Sequence, residues 1–273
     1  MKKLNLFVLS VFMAYSFTAY ADEAREPKIL SPCSAEKPVG CYKVSKSYSL
    51  SKSVHGVDGI LQLLQDNRLK KNLYNKQFGT AFNDMYMYDK KILPLFKDNP
   101  PLGAVLRILS QHEGYFLIRE SRTFDFVPVA WLEEIGLSDA YKPTYLFTLD
   151  ESVGMGSYNG PVTYFYEIVD GKLKPIEYLN NETGKRDKIV LMRSLKTNWK
   201  LVKSKNGKSK DILHVDCRPS YESKSKDEVD FMISYHRFHF DGKEWVRYER
   251  VDKDFWEVDA DDFPPLAKFP VSP

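Results

Sequence analysis

Hydrophobic and polar positions change their rhythm part-way along the chain. Between Val57 and about Ala140 the apolar residues fall at helical spacing: Ile60, Leu61, Leu64, Leu69 and Leu73 line one face, with Gln, Asp and Lys on the other. Asn99-Pro100-Pro101 ahead of Leu102, Val105, Leu106 and Leu109 has the form of a helix start, because proline is tolerated in a first turn. Pro128 to Ile135, with Gly136 after it, repeats that start and stop pattern. Within this part, Tyr115-Phe116-Leu117-Ile118 is short and apolar enough to be a strand.

After Tyr141 the pattern becomes that of β-structure. Val162 to Val169, then Asp170-Gly171, then Lys172 to Leu179 is a hairpin signature, since Asp-Gly supplies the positive φ angles of a type I′ turn. Phe231 to Phe240, Asp241-Gly242 and Lys243 to Val251 make a second one. Asn206-Gly207, between Trp199–Val202 and Ile212–Val215, is a third. The expected fold is therefore α+β, an N-terminal helical segment followed by an antiparallel β-meander or sandwich. The expected organisation is residues 1–21, an N-terminal arm at 22–56, a mainly helical part at 57–140 and a β-rich part at 141–273 with an acidic tail, 57–273 being compatible with one domain.

The first segment changes the picture of where the protein works. Met1-Lys2-Lys3, an apolar stretch from Leu4 to Phe17 and Ala19-Tyr20-Ala21 are the three parts of a cleavable secretory signal, too short to span a bilayer. Cleavage after Ala21 would deliver a periplasmic or secreted protein with no membrane insertion. Removing Lys2 and Lys3 from the 40 basic side chains leaves 38 against 37 acidic ones, a net charge of +1. That balance gives no reason to expect nucleic acid or a membrane surface as partner.

Export also bears on Cys33, Cys41 and Cys217, because an oxidising compartment favours a closed pair. A local Cys33–Cys41 bridge around a short Pro/Gly-containing segment is favoured. The rival joins one of them to Cys217, and spacing alone leaves the choice open.

Candidate chemistry is sparse. No His-Glu-x-x-His helix, Gly-x-Ser-x-Gly elbow or phosphate-binding Gly-x-x-x-x-Gly-Lys loop is present, and no motif implies a cofactor or a metal. Gly154-Met155-Gly156-Ser157-Tyr158-Asn159-Gly160 precedes Pro161 and a β-run rather than a helix, so it reads as a projecting loop, with Gly154, Gly156, Ser157, Tyr158 and Asn159 as candidate binding residues. His214 and Asp216 should share one strand face, and His236 and His239 should point to opposite faces.

Charge is uneven. Lys185 to Lys210 holds ten Lys/Arg against Asp187, while Glu249 to Asp262 holds seven acids against Arg250 and Lys253. These runs either pair with each other or face a charged partner. The acidic tail also carries aromatics, which makes Asp254, Trp256, Glu257, Asp259 and Asp261 candidate contacts for a protein partner in the envelope.

The expectation is thus an exported bacterial envelope binding protein without catalytic activity, an inhibitor or immunity protein that blocks a secreted toxin or wall-degrading hydrolase. The alternatives are a periplasmic hydrolase built on residues such as His112, Glu113, His214 and Asp216, or an envelope assembly factor.

Overall fold

The structure is a computed structural model and describes residues 41–66, 104–113, 115–124, 129–137, 143–150, 160–205, 207, 209–220, 230–258 and 263–271. The signal segment, Cys33, the glycine-rich stretch 154–159, Asp259 and Asp261 lie outside them. The described residues are nearly all β. Their strands are β1 (Tyr42–Leu50), β2 (Gly59–Asp66), β3 (Ala104–His112), β4 (Tyr115–Phe124), β5 (Val129–Gly136), β6 (Pro143–Asp150), β7 (Val162–Val169) and β8 (Lys172–Pro175). There follow β9 (Glu177–Asn180), β10 (Arg186–Lys188), β11 (Val190–Met192), β12 (Thr197–Lys203), β13 (Lys210–Pro219), β14 (Phe231–Phe240) and β15 (Trp245–Lys253). Among the described residues helix is confined to one turn, α1 (Lys52–His55), and a 3₁₀ turn at Leu266–Lys268. None of these helices is long and apolar enough to cross a membrane.

The α+β expectation is therefore corrected. Where helices were expected between residues 57 and 140, the described residues form β2 to β5. The cause is burial on both faces of the strands. Leu61, Leu63, Leu106 and Ile108 join one core, while Leu64 and Val105, cross-strand partners, are buried on the reverse side. Apolar residues on both faces produce Leu61/Leu64 and Val105/Leu106/Leu109 spacings that imitate a helical stripe.

The strands form three sheets: a first in the order β1-β2-β3-β4, a middle one in the order β11-β7-β6-β5 with β8 on β7, and a third in the order β10-β9-β15-β14-β13-β12. The first and middle sheets enclose a core of Leu61, Leu63, Leu106, Ile108, Leu132, Tyr145, Phe147, Leu149, Tyr166 and Ile168. The middle and third sheets enclose another, with Leu146, Phe165, Leu191, Trp199, Ile212, Phe238 and Trp245. The middle sheet is thus apolar on both sides, and along β6 and β7 alternate residues go to alternate cores. On the far side of the third sheet, Leu213, Val215, Cys217, Ile233 and Tyr235 are covered by Trp256 and Phe269 of the C-terminal segment.

Turn chemistry positions these layers. Asp170 and Gly171 have φ of 53° and 69°, the two positive values that a type I′ turn requires, and β7 and β8 pair across them. The run Lys172–Leu179 then divides. β8 stays in the middle sheet, Ile176 donates its N–H to Phe165 O, and β9 crosses to the third sheet and lies parallel to β15. The β14–β15 connection is wider than an Asp-Gly pair: Asp241 Oδ1 accepts the N–H groups of both Lys243 and Glu244.

Candidate functional site

Neighbouring β13 and β14 carry buried polar groups on both faces of the third sheet. On the face toward the middle sheet, one row runs across four strands: Trp199 opposite His214, His214 opposite His236, and His236 opposite Glu249. The two imidazoles stack, with ring centroids 5.2 Å apart and planes 17° from parallel. His236 is buried, yet its Nδ1 lies 3.9 Å from Glu249 Oε1, beyond hydrogen-bond reach. Glu249 is shared with Arg247, whose Nη2 donates to Oε2 at 3.3 Å, while Arg247 Nη1 donates to the Tyr178 hydroxyl.

This row contains polar atoms that folding has left unpaired. Trp199 Nε1, His214 Nε2, His236 Nδ1 and Arg247 Nε are buried with no hydrogen-bond partner among the described residues. A buried orphan costs about 1–3 kcal/mol, so four on one face mark an expensive place. Burial is the main reason both imidazoles are held neutral: it lowers the His214 pKa to about 4 and takes His236 well below the usual value. The guanidiniums of Arg218 and Arg247 act in the same direction on both rings, whereas Asp216 opposes them at His214. Nearly parallel rings cannot direct in-plane lone pairs at one ion, and among the described residues no group of three or more ligating side chains is arranged for a metal.

The opposite face holds a tighter group. Asp211 is fully buried; Oδ2 accepts from Arg237 Nη1 at 2.9 Å, and Oδ1 lies 2.8 Å from His239 Nδ1. A carboxylate in that position makes Nδ1 the donor and orients the ring, as an acid does for a general base. His236 and His239 do point to opposite faces, and His214 and Asp216 do share one. Asp211 and Arg237 lacked a sequence signal, and nothing joined His239 to them, because Asp211 and His239 are separated in the chain and meet only through the β13–β14 register.

Other residues singled out by the sequence are dispersed. His112 and Glu113 are exposed at the end of β3 in the first sheet, with the middle sheet between them and His214 and Asp216. Trp256 is buried, and its backbone N–H donates to Cys217 Sγ at 3.4 Å. Glu257 pairs with buried Lys196 at 2.8 Å, and Lys196 Nζ sits 3.5 Å from the Phe255 ring centroid. Lys200 lies over Phe263, and Arg186 pairs with Glu244, so the basic segment and the C-terminal region meet within the fold. Asp254 is exposed and its carboxylate accepts the Phe255 N–H. Cys41 is disulfide-bonded and Cys217 is a free buried thiol, which rules out a bridge between those two.

The glycine-rich stretch is described only at its exit. Pro161 O accepts the Arg193 N–H, and the Arg193 guanidinium donates to Trp199 O and lies 4.4 Å from the Trp199 ring centroid. That anchor leads to the histidine row. Comparisons of the chain with protein-family models, curated proteins and solved structures found no match.

Proposed function

We propose that this is an exported bacterial envelope protein that works by binding another protein, as an inhibitor or immunity protein against a secreted toxin or a wall-degrading hydrolase. The observation that carries the reading is the edge of the first sheet. Among the described residues β4 has a neighbour on one side only, and its consecutive residues Phe116, Leu117 and Ile118 are 48%, 47% and 55% exposed. An apolar edge strand is an aggregation hazard that proteins usually blunt with charge or cover, and it is also the template onto which a partner's strand adds. Arg119 bounds the patch and is tied to the scaffold by its bond to Asp170 O. A partner strand seated there would be held by main-chain hydrogen bonds, with the three side chains selecting it, and the layered sheets behind would block access to the partner's active site.

The test is capture from an envelope extract with the wild-type protein and Leu117→Lys. One stoichiometric partner retained by the wild type and lost by the variant, at unchanged melting temperature, supports the reading. Equal capture by both proteins, or no partner, overturns it.

A hydrolase is the second reading, and the Asp211–His239 pair favours it over the dispersed His112, Glu113, His214 and Asp216. Loss of a measured hydrolytic activity in His239→Ala with the fold intact would establish it.

A further inference from the structure

The stacked histidines lie where the third sheet meets the middle one. On the third sheet they are faced by Asp216, Arg218, Arg247, Glu249 and the Tyr178 hydroxyl; the segment joining β11 to β12 brings Arg193 over Trp199. From the middle sheet come the apolar side chains of Phe165 and Leu191, Phe165 edge-on to Trp199 at 5.5 Å. Both carboxylates are already engaged. Asp216 accepts from Thr197 Oγ1 at 3.2 Å and pairs with Arg218 Nε at 2.6 Å, and Glu249 is engaged by Arg247. Two guanidiniums, those of Arg218 and Arg247, thus engage the two carboxylates. A proton added to either ring would create a cation stacked on its neighbour and close to Arg218 and Arg247, with Asp216 already paired to Arg218 and Glu249 Oε1 3.9 Å from His236 Nδ1, beyond hydrogen-bond reach.

We propose that the His214–His236 pair is an acid-sensitive latch between the middle and third sheets, closed while both rings are neutral and released when they take up protons. Four of the six buried side-chain nitrogens left unpaired among the described residues, those of Trp199, His214, His236 and Arg247, lie at this seam and the other two, of Arg237 and Trp256, on the far face of the third sheet, so it is the seam that parts. Opening would rehydrate all four.

The direction of the pH effect follows from burial. In the closed state His214 titrates near pH 4, whereas an opened or unfolded chain binds its proton near the ordinary value of about 6.5. Between those values the open state holds more protons, so the closed state loses ground as pH falls through that window and is fully favoured above it. For an exported chain, the surroundings set that pH.

Hydrogen exchange on the full chain between pH 7.5 and 4 tests the proposal. The expected result is a reversible loss of protection, at least tenfold, in β12, β13 and β7 below about pH 6. β2, β3 and β6 should stay protected. The double variant His214→Gln/His236→Gln should abolish that selective loss. If the double variant does not fold, NMR titration of the wild-type rings decides: both should titrate in the interval in which protection is lost. Uniform loss across the molecule, a selective loss that survives in a folded double variant, or rings that titrate outside that interval would overturn the latch. None of these readouts requires the binding partner.

Discussion

Each of the two seams of the three-sheet stack contains buried histidine, and the two treat it in opposite ways. Between the first and middle sheets, His55 has both ring nitrogens occupied: Nδ1 accepts the Ser51 N–H at 3.1 Å, which makes Nε2 the donor to the Tyr145 hydroxyl at 3.0 Å. Tyr48 extends that polar group by donating to Leu132 O and accepting the Glu134 N–H. The α1 turn that carries His55 is itself fastened, since Gly171 N–H donates to His55 O. Between the middle and third sheets, His214 and His236 have orphaned nitrogens and, among the described residues, stack on each other. Burial lowers the pKa of all three histidines, so burial alone does not separate a structural histidine from a responsive one. Hydrogen-bond satisfaction does.

The largest expected effect tests whether the seams differ in packing as well. Phe147 is fully buried in the first seam and Phe165 in the second. Each Phe→Ala change should cost about 3–5 kcal/mol in denaturant unfolding, because both rings are enclosed and the neighbouring strands cannot collapse onto the cavity. Similar values would locate the contrast in polar groups alone. A Phe165→Ala cost near 1 kcal/mol would show that the second seam is loosely packed throughout.

The next effect in size concerns the satisfied seam. Tyr145→Phe deletes one hydroxyl and leaves His55 Nε2–H buried with nothing to bond, a loss of about 1–3 kcal/mol. The Tyr145 ring also packs against Tyr48 at 5.7 Å, and phenylalanine keeps that contact, so the measured change reports the hydrogen bond. A neutral outcome would mean that water replaces the hydroxyl and that the two seams are less different than they look.

These contrasts explain what the sequence could and could not disclose. The hairpin at Asp170-Gly171 was legible because turn chemistry is local, and the strand at Tyr115 because it is short and apolar. Strands β2, β3 and β5 were not, since residues such as Leu64 and Val105 are buried on the face away from the middle sheet and fill in a helical period. Parity along β13 and β14 correctly assigned faces to His214, Asp216, His236 and His239. It could not bring Asp211 to His239 or Glu249 to His236, because those meetings depend on cross-strand register over long loops. The pairing of Lys196 with Glu257 was one of two readings of the charge runs, and only the packing of the C-terminal segment decides between them.

The smallest expected effect is the most discriminating. Trp199→Phe removes an indole N–H that is already unpaired, together with part of a ring packed on Phe165 and under Arg193. Lost apolar contact destabilises, while deleting a buried donor that had no partner removes a desolvation cost of about 1–3 kcal/mol. The two terms oppose each other, so the variant should unfold within about 1 kcal/mol of wild type, where a tryptophan with a satisfied N–H would lose considerably more. Tyr145→Phe and Trp199→Phe thus both delete one polar group from a buried ring, one from each seam. A large gap between them in denaturant midpoint confirms that the first seam is paid up in hydrogen bonds and the second is not. Equal losses would mean that the Trp199 N–H finds a partner in solution, and the second seam would then no longer be the weaker one.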